Sequence, residues 1–246
     1  MKTILLAITL LLLLTFTSTL ITHAQATEQP SDDTIRKFIL ANPEIILESL
    51  KRYEEKVEAG TKTIEQQIIK KELALIATNN TSYIGGNPNG SITLIEFLDY
   101  KCGYCKKAHG QILELINSNP EIRFIVKEFP VLGDESLIAS KASIAVFLDQ
   151  GSKIYRTFTE KLLKFNGRIT IDSIRNLLKS AGGETETIQK LMESKAVYNI
   201  LNSNYNLAKE LKIRGTPTFI IGTEIVRGYK NVEELQNIIN KVKQIL

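Results

Sequence analysis

Cysteine is scarce in this chain: 246 residues include two. Two thiols are too few for a disulfide-dense mini-scaffold, a four-thiolate zinc site or a four-cysteine iron–sulfur cluster. The sequence also lacks internal repeats, low-complexity tracts and any Lys/Arg run interleaved with aromatic residues. Because 31 basic and 27 acidic residues leave a net charge of only +4, we expect no nucleic-acid partner. The 43% hydrophobic content predicts a globular chain with its own core.

The N-terminal segment, residues 1–26, has the pattern of an export signal. Lys2 supplies a positive start, an apolar run follows over residues 4–14, and small residues suitable for cleavage extend to Ala26. The alternative is an uncleaved anchor, because residues 4–21 just reach spanning length, although several hydroxyl residues weaken it. The segment has no cysteine for a lipid anchor. We therefore expect a mature protein outside the cytoplasm, in an oxidising compartment.

Residues 27–80 are predicted to form a separate N-terminal helical extension. Ser31 suits the cap of a first helix, and Asn42-Pro43-Glu44 suits the start of a second. Apolar residues then recur at heptad-like spacing: Ile46, Leu50, Tyr53, Val57, Ile64 and Ile68. Such a stripe has to pack on something. It either folds back onto its own domain or makes residues 31–78 a self-association stalk, and hence the protein a homo-oligomer.

The order of elements after the extension predicts an α/β fold. The predicted elements are strands at 82–84 and 92–98, a helix at 103–117, a strand at 122–129, helices within 133–198, a hairpin at 218–222 and 224–228, and a helix at 232–245. A strand, a helix and a strand in succession indicate a parallel pair with a crossover helix. The chain is therefore divided into 81–132, a helical insertion at 133–198, and 199–246.

Both cysteines stand in one motif, Cys102-Gly103-Tyr104-Cys105, between a predicted strand and the helix that follows. Two randomly placed cysteines would have this spacing in roughly 1% of cases. Backbone N–H groups at a helix N-terminus favour a thiolate, so Cys102 is the predicted attacking thiol and Cys105 the resolving one. The alternative is a purely structural disulfide, but so small a ring removes chain entropy worth only on the order of 2 kcal/mol.

Metal binding and haem attachment are the other possible uses of this pair of cysteines. Attachment of c-type haem needs a histidine at position 106, where the chain has Lys106. A zinc or copper site could add His109, but no fourth ligand is evident, and a packed or solvated histidine is the simpler interpretation. We predict no metal site.

Glu96 is the second candidate, because it lies within an otherwise apolar strand on the face that it shares with Leu94 and Leu98. Burial there would raise its pKa and make it a proton donor or acceptor for the Cys105 thiol. The alternative is an edge strand with a solvated Glu96 side chain.

The third candidate is Thr216-Pro217, which precedes the strand at 218–222. A proline that opens a strand can simply be tolerated there. A cis bond between the two residues would instead place a tight turn beside the cysteines, where the Thr216 backbone could pair with an extended substrate.

In this combination, the motifs over residues 82–246 resemble the thioredoxin fold of DsbA-like thiol–disulfide oxidoreductases. The resemblance implies an α/β thioredoxin fold with an inserted all-helical subdomain. The family's nucleophilic cysteine, resolving cysteine, buried acid and cis-proline loop fall on Cys102, Cys105, Glu96 and Thr216-Pro217. The helical segment at 35–50 resembles the N-terminal extension of the Com1/ScsC-like subgroup, some members of which are oligomeric isomerases.

Two details differ from the oxidase archetype, which has Pro-His between the cysteines and Val before the cis-proline. Gly103-Tyr104 and Thr216 resemble DsbC-type isomerases instead, and with Pro217 they are the expected substrate contacts. Without a histidine between the cysteines, we expect a less oxidising couple. The resemblance therefore favours a periplasmic disulfide isomerase, with a DsbA-like dithiol oxidase as the alternative.

The resemblance also implies partners. Its clients would be unfolded or misfolded exported proteins, and a DsbB-like or DsbD-like membrane protein would be its redox partner. No cofactor is required. Two other classes stay open: a metal-tolerance module in which the reduced cysteines bind Cu(I), and an exported surface protein that keeps the fold with an idle motif.

Overall fold

The computed structural model describes residues 31–78 and 81–244. The predicted signal peptide at 1–26 lies outside these residues. The described chain forms two compact units, one up to Glu58 and one from Ala59 onward. Within the described ranges, no helix is both long and apolar enough to cross a membrane.

The first unit contains helix α1 (Asp32–Ala41) and the start of helix α2 (Pro43–Thr78). Ser31 caps α1 because its Oγ accepts the backbone N–H of Thr34 at 3.3 Å. The two predicted helices are thus confirmed, and the second continues through Gly60 without a break. Much of their apolar surface is exposed: Ile35, Phe38, Leu40, Leu47, Leu50, Tyr53 and Val57.

The second unit is built on a five-stranded sheet in the order β1-β3-β2-β4-β5. The strands are β1 (Ile84–Gly86), β2 (Ile92–Leu98), β3 (Ile122–Glu128), β4 (Thr218–Ile221) and β5 (Glu224–Arg227). The central pair β2 and β3 is parallel, and the other pairs are antiparallel. The predicted crossover between β2 and β3 is therefore confirmed, as is the terminal hairpin.

The remaining helices of this unit are α3 (Gly103–Ser118), α4 (Asp134–Lys164), α5 (Ile171–Ser180), α6 (Ile188–Met192), α7 (Lys195–Glu210) and α8 (Val232–Lys243). Helix α3 is the crossover, and α4 to α7 form the insertion between β3 and β4. The backbone of α4 is interrupted at Gly151, whose φ of 76° is open to glycine at little cost. Helix α7 continues past residue 198, where the predicted helical region ended, to Glu210. Its Asn204 is buried but polar, and so interrupts the apolar pattern.

The two faces of the sheet carry separate cores because side chains alternate along each strand. Leu94 and Leu98 of β2 belong to the larger core, which includes side chains of α3, α4 and α8. Ile95 and Phe97 belong to the smaller core, which includes side chains of α2 and α7. In this second core α2 buries Ile69, and Ile68 of the predicted apolar stripe packs against it, whereas Ile64 of the same stripe is exposed.

The prediction for the first strand was wrong by two residues, since it ended where β1 begins, at Ile84. The two glycines that follow were interpreted as a turn, but they pair with Phe124 and Arg123 of β3. At Gly86 a β-carbon would lie 2.5 Å from the Ile122 carbonyl oxygen, and φ is +64°. A glycine is therefore required by close backbone contact inside the sheet.

Candidate active site

The turn between β2 and α3 is held by a buried carboxylate, Asp99, which sequence analysis did not single out. Its Oδ1 accepts the N–H of Lys101 at 2.8 Å, and its Oδ2 accepts those of Val131 and Leu132 at 2.8 and 3.0 Å. The Asp99 carbonyl oxygen also accepts the N–H of Cys102 at 3.1 Å. The available signal was an acid directly after a strand, where such side chains often accept hydrogen bonds from nearby N–H groups.

Cys102 occupies the N-cap position of α3, as the sequence motif predicted, and is 7% exposed. Its pKa is lowered to about 5, mainly by the hydrogen bond from the Cys105 side chain. The Thr216 side chain and the backbone N–H groups of Cys105 and Tyr104 add to this effect, while burial opposes it. At neutral pH, therefore, the Cys102 sulfur is poised as a thiolate.

Cys105 lies one turn further along α3 and is fully buried. Both cysteines are free thiols in this structure. The hydrogen bond to Cys102 raises the pKa of the Cys105 thiol, and burial and the charge of Glu96 raise it further. The two thiols thus divide one proton unequally: Cys105 holds it, and the sulfur of Cys102 is left as the nucleophile.

The loop before β4 faces Cys102. The Thr216–Pro217 bond is cis, the geometry that the sequence motif indicated. The carbonyl oxygen of Thr216 lies 3.2 Å from Cys102 Sγ and accepts its hydrogen when the thiol is protonated. Thr218 Oγ1 donates to the Gly215 carbonyl oxygen at 2.8 Å. A segment distant in sequence is thereby placed against the attacking sulfur.

Glu96 lies on the central strand β2 and is 3% exposed, so the alternative of a solvated edge position was wrong. Its Oε1 has no hydrogen-bond partner within the described part of the chain. Burial raises the pKa of Glu96 to about 8, with further contributions from the charges of Glu128 and Cys102. A carboxyl group with this pKa can donate or accept a proton near neutral pH.

Glu96 also lines a cavity of about 270 Å³, together with His109. His109 is half-buried, and its Nε2 lacks a partner among the described residues. Burial lowers the pKa of His109, so its ring is neutral at neutral pH. The predicted packed or solvated histidine is therefore a neutral group that lines a cavity with both polar and apolar walls.

A second buried carboxyl group, Glu128 at the end of β3, was missed by sequence analysis. It is 3% exposed, and its Oε1 accepts the hydroxyl hydrogens of Tyr100 and Tyr155, each at 2.8 Å. Burial raises the pKa of Glu128 to about 7, against the lowering effect of the tyrosine hydrogen bonds. The signal in the sequence was an acid at the end of an otherwise apolar strand, which is weaker than the signal of Glu96, an acid inside its strand.

The surface around Cys102 offers apolar and aromatic contacts. Tyr104, between the cysteines, is 63% exposed, and its ring centroid lies 6.0 Å from that of Tyr229. Lys107 Nζ lies 4.5 Å from the centroid of the Tyr229 ring. Gly103 leaves open space at the first turn of α3, and Leu132 is exposed. An extended polypeptide could thus approach the sulfur without displacing a side chain at Gly103.

Among residues 31–78 and 81–244, no three His, Cys, Asp or Glu side chains are placed so that they could hold one metal ion.

A family model described as thioredoxin matches residues 78–241. The chain belongs to the thioredoxin family. The predicted thioredoxin fold with a helical insertion and N-terminal helices is therefore confirmed, and the family core corresponds to the second unit.

Comparison with individual relatives shows which members of the family this chain is similar to. The chain is 22% identical over 166 residues to Disulfide bond formation protein D of Bacillus subtilis strain 168, over 63% of this chain and 74% of that protein. It resembles the thiol-disulfide exchange protein alpha-DsbA2 of Wolbachia pipientis, at 28% identity and a TM-score of 0.66, over 74% and 97% of the two chains.

Proteus mirabilis ScsC in a transitional conformation is also similar, at 26% identity and a TM-score of 0.65, over 84% of this chain and 92% of that one. The chain is therefore a DsbA-like member of the thioredoxin superfamily with ScsC-like relatives. These relatives support a thiol–disulfide oxidoreductase.

Proposed function

We propose that this protein exchanges disulfides in exported proteins through Cys102 and Cys105. The observation that carries the proposal is the opposite perturbation of the two thiols, with the pKa of Cys102 lowered to about 5 and that of Cys105 raised. A structural disulfide needs no such asymmetry. Thiol exchange does, because one sulfur has to attack as a thiolate while the other waits as a thiol.

The reduced protein acts in two steps. The Cys102 thiolate attacks a client disulfide, so that a mixed disulfide forms on Cys102 and one client sulfur leaves as a thiolate. Cys105 then gives its proton to the Glu96 carboxylate and attacks Cys102 Sγ. The Cys102–Cys105 disulfide forms, and the second client sulfur leaves as a thiolate. For an isomerase, another client thiol resolves the mixed disulfide instead, and Cys102 is released unchanged in oxidation state.

The oxidised protein runs the same chemistry in reverse. A client thiolate attacks Cys102 Sγ, the bond to Cys105 breaks, and the electron pair goes to the Cys105 sulfur. The Glu96 carboxyl group supplies the proton that Cys105 then carries. Glu96 is suited to this exchange because burial holds its pKa at about 8, within reach of neutral pH.

Client proteins would dock on the surface that surrounds Cys102. The main chain of Thr216 and Pro217 would align an extended client by strand addition, and exposed Tyr104 would contact its apolar side chains. Gly103 leaves room for the approach. Such contacts suit unfolded or misfolded exported proteins rather than one defined ligand.

Within this chemistry, we favour disulfide isomerase over dithiol oxidase, with residues 31–78 as the self-association segment. The support is the exposed apolar surface of α1 and the start of α2, which a second copy of the chain could cover. An oligomer would present several Cys102 sulfurs to one misfolded client. The expected location is the periplasm, following the predicted export signal, and the expected redox partner is a DsbB-like or DsbD-like membrane protein.

The test is the rescue of scrambled ribonuclease by the mature full-length protein in a glutathione buffer. Strong rescue, lost in Cys102→Ser, is the expected result. Rapid oxidation of reduced ribonuclease with little rescue of the scrambled form would make the protein an oxidase. Failure of both reactions would overturn thiol exchange itself.

Self-association needs a separate variant, because deleting all of α2 would also remove core residue Ile69. The full-length variant Leu50→Lys/Val57→Lys places two charges on the exposed apolar stripe. Ser49→Lys/Ala59→Lys adds the same charge at exposed positions off that stripe. Light scattering should show an oligomer for the wild type and the control, and a monomer for the stripe variant. A wild type that stays monomeric at high concentration contradicts the stalk.

A further inference from the structure

The buried acids Glu96 and Glu128 lie on neighbouring parallel strands. The register pairs Glu96 with Val126 and Leu98 with Glu128, so the two acids are diagonal neighbours on one face of the sheet. Strand spacing and rise place their Cα atoms about 8 Å apart. Since each side chain is 3% exposed, little water separates the two carboxyl groups. Two charges in such surroundings repel each other strongly.

The two carboxyl groups differ in what holds them. Glu128 Oε1 accepts two phenol hydrogens, from Tyr100 and Tyr155. Within residues 31–78 and 81–244, Glu96 Oε1 and Glu128 Oε2 both lack a partner, and Glu96 receives no phenol hydrogen. Hydrogen bonds from donors stabilise a carboxylate, so the negative charge is more stable on Glu128 and the proton is more stable on Glu96.

Other ionisable groups face the pair from several elements. Helix α3 presents Cys102, Cys105 and His109 toward Glu96. Helix α4 contributes Arg156 and Glu160 to the wall of the same cavity. In the described structure neither carboxyl group has an ion pair with a lysine or arginine.

Around Glu128 the neighbouring groups are neutral or acidic. Besides the two tyrosines, the Asp99 carboxylate acts on it through its charge and raises the pKa of Glu128. Lys127 is adjacent in sequence, but its side chain belongs to the opposite face, where Nζ pairs with Glu72 at 2.6 Å. The nearest lysine along the strand is thus already neutralised elsewhere.

We propose that Glu96 and Glu128 form one coupled acid pair, in which the charge on Glu128 keeps the proton on Glu96 for delivery to Cys105. Glu128 is a positioning residue, because it touches none of the reacting sulfurs. The inference rests on the proposed thiol exchange and assigns a proton source to it. The raised pKa of Glu96, to which Glu128 contributes directly after burial, agrees with this arrangement.

A client thiolate attacks Cys102 Sγ, and a new bond forms between the client sulfur and that atom. The bond from Cys102 to Cys105 breaks, and its electron pair goes to Cys105 Sγ. The Glu96 carboxyl group gives its proton to that sulfur and becomes a carboxylate. When the disulfide re-forms, the proton returns from Cys105 to Glu96.

The first test is a carbon-13 NMR titration of both carboxyl groups in the oxidised wild-type protein, in which neither thiol titrates. A coupled pair gives two inflections in each signal, because each group responds to the charge of the other. One inflection per signal, at unrelated midpoints, overturns the pair. This measurement reads the pair whether or not the protein exchanges disulfides, so it can fail independently of the proposed function.

The second test is Glu128→Gln, which removes the charge and keeps an oxygen that accepts from the two tyrosines. The Glu96 midpoint should fall by about one pH unit. The rate at which a small thiol opens the Cys102–Cys105 disulfide, corrected for thiolate concentration, should be constant at low pH, where Glu96 carries its proton. In the variant this rate should begin to fall at a correspondingly lower pH. A folded Glu128→Gln protein with an unchanged Glu96 midpoint overturns the proposal.

Tyr155→Phe provides a second route that spares the carboxyl group. It removes one donor to Glu128, so the proton moves toward Glu128 and the Glu96 midpoint should again fall. Glu72→Gln is the control, a half-buried acid on the other face of the sheet, and should leave the Glu96 midpoint in place. A shift in the control as large as that in Glu128→Gln would mean a general change in the fold and would count against the pair.

Discussion

The two faces of the sheet treat buried charge in opposite ways. On the face toward α2 and α7, Lys127 and Glu72 neutralise each other at 2.6 Å. On the face toward α3 and α4, the carboxyl groups of Glu96 and Glu128 are buried with no cation paired to them in the described structure. Two paired charges hold each other in place in their charged forms. Burial without a cation instead raises the pKa of an acid toward neutral pH, where the acid can transfer a proton. We therefore call the side toward α2 and α7 the structural face, and the side toward α3 and α4 the chemical face.

The largest effect is expected from removing the nucleophile on the chemical face. Cys102→Ser should abolish disulfide exchange, since an alcohol of ordinary pKa does not attack a disulfide at neutral pH. Its thermal unfolding should stay close to that of the reduced wild type, because one buried sulfur is exchanged for an oxygen of similar size. Ribonuclease turnover and circular dichroism give the two readouts. Residual exchange at the wild-type rate would place the chemistry elsewhere.

Glu96→Gln should raise the free energy of unfolding, by an amount that grows as the pH rises. In the folded protein Glu96 ionises near pH 8, and in the unfolded chain near its usual value of 4.5. Unfolding therefore releases a proton between these values, and wild-type stability falls as pH rises through that window. The gain in the variant should be near zero at pH 4.5 and on the order of 4 kcal/mol at pH 8. Urea unfolding at several pH values measures it.

The same variant should slow the step that protonates or deprotonates Cys105 by about 100-fold, the usual lower range for general acid–base catalysis. Glu72→Gln is again the control. If Glu96→Gln gains no stability at pH 8, then the carboxyl group is not held in its neutral form, and the contrast between the faces is lost.

Lys127→Met tests the structural face, because it removes the cation of the ion pair there. It leaves the half-buried Glu72 carboxylate without its partner, which should cost about 2 kcal/mol of unfolding free energy. The Glu96 titration should not move, since the two side chains point to opposite faces of the sheet. Denaturant unfolding and carbon-13 NMR measure the two effects. A displaced Glu96 midpoint in a folded Lys127→Met protein would show that the faces are electrostatically linked.

The smallest effect is expected for Thr216→Val. The Thr216 side chain is one of the groups that lower the pKa of Cys102, after the Cys105 hydrogen bond. Its loss should raise the Cys102 midpoint by less than about one pH unit, which corresponds to less than about 1.4 kcal/mol. Thiolate absorbance near 240 nm follows the titration. A lower midpoint in the variant would contradict the assigned hydrogen bond.

Local patterns were enough to predict much of the fold and the sulfur site. Cys102 and Cys105 stand in one motif at a helix start, and Glu96 interrupts an apolar strand, so neighbours in sequence carry the signal. Glu128 was missed because it follows Lys127 at a strand end, where an exposed charge is the usual outcome. Its burial depends on tyrosines 28 and 27 residues away, which no local pattern specifies.

The same reason explains the errors in the element bounds. The predicted end of helix α7 came too early because Asn204 interrupts the apolar pattern of the helix. This polar side chain can be buried because its Nδ2 donates a hydrogen bond to the distant Glu128 carbonyl oxygen at 3.0 Å. The glycines of β1 were interpreted as a turn because their close approach to β3 is visible only once the sheet has formed.

The way Asp99 holds the active-site loop has a consequence for how this protein can vary. Its carboxylate accepts main-chain N–H groups from Lys101, Val131 and Leu132, and any residue except proline supplies the same donors. The side chains at those three positions take no part in these hydrogen bonds, so substitutions there leave the contacts of Asp99 in place. One acid thus separates the framework of this loop from the side chains that the loop displays, so those side chains can vary without a redesign of the sulfur site.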